Sequence, residues 1–303
     1  MSAAAISGAR LTRRQLLVLV LLTLTWGLNW PVMKFAVSGT PALPMPYPPL
    51  SFRALSMLLG LPVLALVLAG LRVPLAVPRG EWRELLRLTA TNMLVWHVVI
   101  VVAVQQLSSG RSAILGYTMP IFVALWGRLR WGERLTWRAL LGVACAGLGV
   151  ALLLANEFGR LSGAPLAAAA VVAAASVWAW GTHELRRTRS ALPLLTLSFW
   201  MTALTTVVIT LLALLLERDA WRWPSALGWA AIGFNAVAVF GFAQPAWFYL
   251  ARSLPPVASS ISVMMIPVLG TYSGAWFLGE ALHWQDHAAV FAMVAAIALV
   301  LLR

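Results

Sequence analysis

Leu107 to Trp137 reads LSSGRSAILGYTMPIFVALWGRLRWGERLTW, and Leu254 to Trp284 reads LPPVASSISVMMIPVLGTYSGAWFLGEALHW. At a constant offset of 147 residues, Pro120 meets Pro267, Gly132-Glu133 meets Gly279-Glu280, Leu135 meets Leu282, and Trp137 meets Trp284. Ser112 and Ala113 meet Ser259 and Ser260. At a slightly larger offset, Trp26-Gly27 meets Trp180-Gly181. Self-similarity at one long offset marks a chain built from two copies of one unit.

Composition says what surrounds those copies. The chain is 61% hydrophobic and 10% charged, against about 25% charged in an ordinary soluble domain. So apolar a chain must use lipid as solvent. Punctuated by charge, Pro and Gly, ten stretches reach the length of about 20 apolar residues that a span needs. They are 15–38, 49–71, 84–107, 110–128, 136–155, 164–185, 191–216, 225–251, 256–278 and 285–302. The expected fold class is an all-α integral membrane protein of ten transmembrane helices. Its parts are an N-terminal segment 1–14, a first five-helix repeat at 15–155 and a second at 164–303. Five is odd, so the second copy enters from the other side and lies inverted.

The net charge of +13 is distributed as topology requires. Sixteen of the 22 Lys and Arg fall on the side of the N-terminus; Lys34, Arg53, Arg111, Arg160, Arg218 and Arg222 fall on the other. This bias puts both termini in the cytoplasm. Basic residues standing singly between apolar runs do not make a nucleic-acid surface, so no nucleic-acid partner is expected. Arg13-Arg14 looks like a twin-arginine signal, but the apolar stretch runs past Trp30 without a cleavage site and more spans follow. The single Cys145 excludes an intrachain disulfide.

The stretch Trp26-Gly27-Leu28-Asn29-Trp30-Pro31 followed by Lys34, with the two Pro…Gly-Glu helices, resembles the EamA branch of the drug/metabolite transporter superfamily over nearly the whole chain. Within that branch it is most similar to exporters of the YddG type. The resemblance implies a bacterial inner-membrane carrier that exports aromatic amino acids and related metabolites. Inverted repeats put the substrate site between the halves near the midplane, reached by alternating access. The expected partners are a small-molecule solute and lipid, with no cofactor; oligomeric state is open.

Several residue types are candidates for the site. Pro31, Pro120, Pro245 and Pro267 each remove a helical hydrogen bond and free the carbonyl four residues earlier, so each is a candidate kink or hinge. Of the 16 tryptophans, those at span ends, such as Trp137, Trp276 and Trp284, fit interfacial anchors. Trp26 and Trp30 share a helix face. With Trp96, Trp178, Trp180 and Tyr117 they offer an aromatic wall for an aromatic or bulky apolar solute. Each alone has ordinary packing or lipid contact as an equal account. Asn29, Asn92, His97, Asn235 and Gln244 fall at depth, where polar groups are costly. His97 and Gln244 stand 147 residues apart and are read as paired hydrogen-bonding groups, although helix–helix bonding accounts for such residues too.

What is missing also counts. No Asp or Glu falls in the middle of a span, so the intramembrane glutamate with which small multidrug antiporters exchange protons has no equivalent. A uniporter needs none. Glu133 and Glu280 are read as structural, bracing the turn into the following helix. His283 to His287 has the spacing of a metal pair but lacks a third ligand and the His-Glu-x-x-His order. An enzyme would need convergent acids or bases at depth. An anionic cargo such as a sugar phosphate would call on Lys34, Arg53 and Arg111, whose place near span ends is explained more simply by snorkelling.

Overall fold

The computed structural model describes residues 12–40, 45–132, 137–158, 164–253 and 256–301. Among these, the regular elements are helices. They are α1 (Arg13–Ser38), α2 (Pro49–Gly70), α3 (Trp82–Thr89), α4 (Val95–Gln106), α5 (Ser109–Gly116), α6 (Met119–Trp131) and α7 (Trp137–Phe158). Then follow α8 (Pro165–Arg187), α9 (Leu194–Leu216), α10 (Ala226–Phe234), α11 (Gln244–Ser253), α12 (Pro256–Leu278) and α13 (Trp284–Leu301). A π-helical turn, Ala90–Leu94, joins α3 to α4, and a longer π stretch, Asn235–Ala243, joins α10 to α11.

Seven segments among the described residues are long and apolar enough to cross a membrane: Arg13–Ser38, Pro49–Gly70, Arg79–Gln106, Ser109–Trp131, Pro165–Arg187, Leu194–Leu216 and Ala226–Trp247. Leu140–Leu152 is a shorter apolar helix. The protein is a multi-pass membrane protein. Its surface agrees, since Leu166 is 85% and Trp276 86% exposed, which water would penalise and lipid does not.

Local chemistry sets the helix ends. Thr12 caps α1 reciprocally: its hydroxyl accepts from Gln15 N at 3.2 Å, and Gln15 Oε1 accepts from Thr12 N at 3.0 Å. Pro49 and Pro165 open α2 and α8, where a missing N–H costs nothing. The repeat-matched Gly132 and Gly279 end α6 and α12 with φ of 68° and 65°, a left-handed conformation that a Cβ disfavours. Around Gly279 an added Cβ would meet nothing within 4 Å. Gly279→Ala is therefore expected to cost about 1 kcal/mol from the backbone alone. The check is a lowered melting temperature in detergent, largely restored by Gly279→Asn.

The major packing joins the first half of the chain to the second. α1 lies on α12, α2 on α9 and the long π stretch, α4, α5 and α6 on α8, and α7 on α13. This pattern maps onto itself when the halves are exchanged: α1 on α12 becomes α8 on α5 and α6, while α2–α9 and α7–α13 map to themselves. The end of α1 meets the approach to α2, and the segment after α2 meets the start of α9. We term the end at which α1 starts the near end and the other the far end.

Three features differ from the sequence expectation. The fourth expected span is two helices, broken at Tyr117-Thr118, so Pro120 is the second residue of α6 and not a kink within one helix. Pro267 does lie inside α12, as Pro31 does inside α1. Pro245 is the second residue after the long π stretch; without an N–H for the Gly241 carbonyl, and with its ring crowding it, the rod widens. Finally, each π segment carries an asparagine that returns a hydrogen bond to the turn before. Asn92 Nδ2 donates to Leu88 O at 3.1 Å and Asn235 Nδ2 to Ala231 O at 3.3 Å. The amide nitrogens of those two asparagines thus serve their own helices.

Candidate functional site

Residues of α1, α2, α4, α5, α6, α8, the long π stretch and α11 enclose a central cavity of about 60 Å³. Trp26, Asn29, Trp30 and Met33 face it from α1, where they recur at helical spacing. Arg53 comes from α2, and Trp96, His97 and Ile100 from α4. Gly116 and Tyr117 close one side, Trp178 another, and Gln244 and Trp247 complete it from α11. Of the residues expected to touch a solute, Trp26, Asn29, Trp30, Trp96, His97, Tyr117, Trp178 and Gln244 lie in this one wall. Trp180 does not. Two residues from Trp178, it points away around α8 and packs at 5.3 Å against both Trp126 and Trp131.

The aromatic wall is a chain of edge contacts. Trp96 sits 6.4 Å from Trp30 at 89° and 4.6 Å from Trp178 at 61°, and Trp26 lies 5.6 Å from Trp247. Such pairs contribute about 0.5–1.5 kcal/mol each beyond their burial. Gly116 makes this possible, since a Cβ there would stand 2.7 Å from Trp96 Cη2 and 3.4 Å from Trp30 Cη2.

Polar groups in the same wall are under-satisfied. Asn29 Oδ1 and His97 Nδ1 are buried and have no hydrogen-bond partner. Gln244 Nε2 has only Met93 Sδ, at 3.6 Å. A buried polar atom without a partner costs about 1–3 kcal/mol, and two such atoms, with one weakly held amide beside them, face this cavity. Arg53, at 1% exposure, is also in this wall. Snorkelling does not describe it: α1 and the long π stretch cover it. The sequence alone names Arg53 only for an anionic cargo and favours snorkelling, and it does not single out Met33, Met119 or Trp247. Lys34 and Arg111 lie outside the cavity wall, Lys34 Nζ donating to Gln105 O at 3.1 Å and Arg111 pairing with Asp286 at 3.2 Å.

The two ends of the bundle differ. Toward the near end, a second cavity of about 330 Å³, reaching Arg186 and Thr188, shares Trp178, Gln244 and Trp247 with the first. Carboxylates clasp the far end. Glu217, at the end of α9, accepts from Leu50 N at 2.8 Å and from Ser51 N at 2.7 Å, satisfying the first amides of α2. Glu280 accepts from Ser109 N at 2.9 Å and from Ser109 Oγ at 3.0 Å. This corrects the expected role of Glu280: it caps α5, a helix of the other half. The following helix, α13, is served instead by Asp286, which accepts from His283 N at 2.9 Å. Glu133 lies outside the described residues.

No group of three metal-ligating side chains occurs among the described residues. Of the His283–His287 pair, His287 Nδ1 is 2.9 Å from Tyr272 Oη. The one free cysteine, Cys145, is half-buried in α7.

The model of the EamA-like transporter family matches this chain twice, over residues 13–155 and 165–302. Among curated proteins, the chain is 28% identical over 300 residues to the uncharacterized inner membrane transporter YedA of Escherichia coli (strain K12), covering 95% of this chain and 92% of that protein. It is 22% identical over 262 residues to the uncharacterized transporter YoaV of Bacillus subtilis (strain 168), covering 86% and 87%. A solved crystal structure of another protein, 20% identical, superposes with a TM-score of 0.65 over 95% of this chain and 96% of that one.

Proposed function

Because the chain belongs to the EamA-like transporter family, we propose that it exports small metabolites, aromatic or bulky neutral amino acids in particular, through the central cavity. The observation that carries this cargo is the wall itself: five indoles and the Tyr117 phenol around one cavity, with His97 and Gln244 among them. Indole faces bind an aromatic side chain and attract an ammonium, and the orphaned polar atoms take up its hydrogen bonds.

In this reading ten rods cross the membrane as two five-helix repeats, 15–155 and 164–303, the second inverted. Both termini are cytoplasmic, so the near end faces the cytoplasm of a bacterium. The self-mapping of the packing pattern and the family's double match support the repeat. Rocking one repeat on the other alternates access. Solute enters the near-end cavity, passes the gate formed by Trp178, Gln244 and Trp247, and leaves where Glu217 and Glu280 now clasp the far end. Among the described residues no acid faces the cavity, which favours a uniporter running cytoplasmic excess downhill over proton exchange. Pro31, Pro245 and Pro267 are the proposed hinges, and Tyr117-Thr118 ahead of Pro120 is the fourth. No catalytic step and no cofactor enters the scheme.

Flux of labelled tryptophan, phenylalanine and a non-aromatic control through purified protein in liposomes tests it. Saturable, aromatic-selective flux without a pH gradient is the expected result. Flux that needs a proton gradient would overturn the uniport scheme, and equal flux of the non-aromatic control would overturn the cargo.

A further inference from the structure

Arg53 stands one turn into α2, and its burial is not matched by its partners. Nη1 reaches Asn235 Oδ1 at 3.4 Å, Nη2 meets Met33 Sδ at 2.7 Å, and the guanidinium lies 5.6 Å from the Phe240 ring centre. Nε has no partner at all. A guanidinium carries five N–H donors and keeps its charge in proteins. An amide oxygen, a thioether and a ring are weak company for it. An unpaired buried charge costs several kcal/mol, so proteins pair such groups.

Six of the chain's nine acids are engaged elsewhere. Glu84 and Glu184 meet Arg87, Glu81 accepts from Ala191 N, and Asp286 pairs with Arg111. Glu217 and Glu280 cap α2 and α5. Among the described residues, no carboxylate pairs with Arg53. Yet Arg53 lines the central cavity beside Asn29 and His97, each with an orphaned polar atom. Its counter-charge is missing at the one place where a solute would sit.

We infer that Arg53 anchors a carboxylate of the transported solute, so that the cargo is an aromatic or bulky apolar monocarboxylate whose acid group meets Arg53 and whose body lies on the indoles. This rests on the transport reading above. The fork of a guanidinium matches a carboxylate in two parallel hydrogen bonds. A phosphate dianion calls for a second cation, and the other two candidates are bonded to Gln105 and Asp286 outside this wall. Asn29 Oδ1, an acceptor, complements an N–H on the same solute. A cationic amine without a carboxylate meets only an unscreened positive charge.

The test measures competition against labelled tryptophan in liposomes by indole-3-propionate, which lacks the ammonium, and tryptamine, which lacks the carboxylate. It is repeated with Arg53→Lys and Arg53→Gln, and the melting temperature of each protein is followed in detergent with and without the compounds. Indole-3-propionate should compete, and tryptamine at least tenfold more weakly. Arg53→Gln should lose flux at least tenfold and lose the stabilisation by indole-3-propionate, without melting lower than wild type when empty. Arg53→Lys should retain part of both. Equal competition by tryptamine and indole-3-propionate in the wild type overturns the anchor whether or not a variant folds, and leaves the aromatic cargo standing. If no indole compound competes or stabilises, isovalerate and other aliphatic monocarboxylates decide. Stabilisation by these in the wild type but not in Arg53→Gln keeps the anchor and removes the aromatic cargo; no stabilisation by any carboxylate removes both.

Discussion

Gly116→Val is expected to cut aromatic flux by roughly 10- to 100-fold while the helical bundle still assembles. The new Cβ would lie 2.7 Å from Trp96 Cη2, inside the contact distance of two carbons. Trp96 cannot retreat, because Trp30 holds one side and Trp178 the other. Overfilling a packed site of this kind costs about 1–3 kcal/mol, and each 1.4 kcal/mol is about tenfold in an equilibrium. Gly147, on the lipid side of α7, has nothing within 4 Å of an added Cβ. Gly147→Val is thus the control and should transport normally. Liposome flux, with gel filtration to confirm folding, checks both. Normal flux through Gly116→Val would mean that solute does not use this cavity.

Removing both far-end clasps should shift the resting state by roughly 30- to 700-fold toward one open at the far end. In Glu217→Ala with Glu280→Ala, the first amides of α2 and α5 lose their acceptors, at about 1–2 kcal/mol each. Neither substitution touches the cavity wall. A cysteine placed at Met33 in a Cys145→Ala background reports the change through its labelling rate with an impermeant maleimide added at the far face. Faster labelling in the double variant, at unchanged labelling from the near face in a sealed vesicle, is the expected pattern. An unchanged rate would show that the clasps only stabilise helices.

The helical architecture was legible because lipid imposes a simple rule on composition and length, and seven of the expected spans recur as candidate crossings. Side-chain facing was less so. Arg53 was misread because its axial place near the start of α2 was taken for its whole environment, whereas the neighbours that bury it, Met33, Asn235 and Phe240, come from two other rods. Trp180 carried its own warning, since residues two apart on a helix face different ways. Met33 and Trp247 had a usable signal too: they follow Trp26 and Gln244 at seven and three residues along their helices. The Ala90–Leu94 turn had none, because no proline or glycine in it demands a wider winding.

Those two wide turns have a mechanical consequence. A π turn holds one residue more than the α turn it replaces. If the extra residue migrates along the rod, every position it passes is turned by about 100° and shifted by about 1.5 Å, while the rod's two ends keep their places. His97 lies three residues beyond one such turn, and Gln244 directly follows the other. The pair can therefore be swung like cams on fixed shafts, presenting or withdrawing their polar groups without any helix having to tilt.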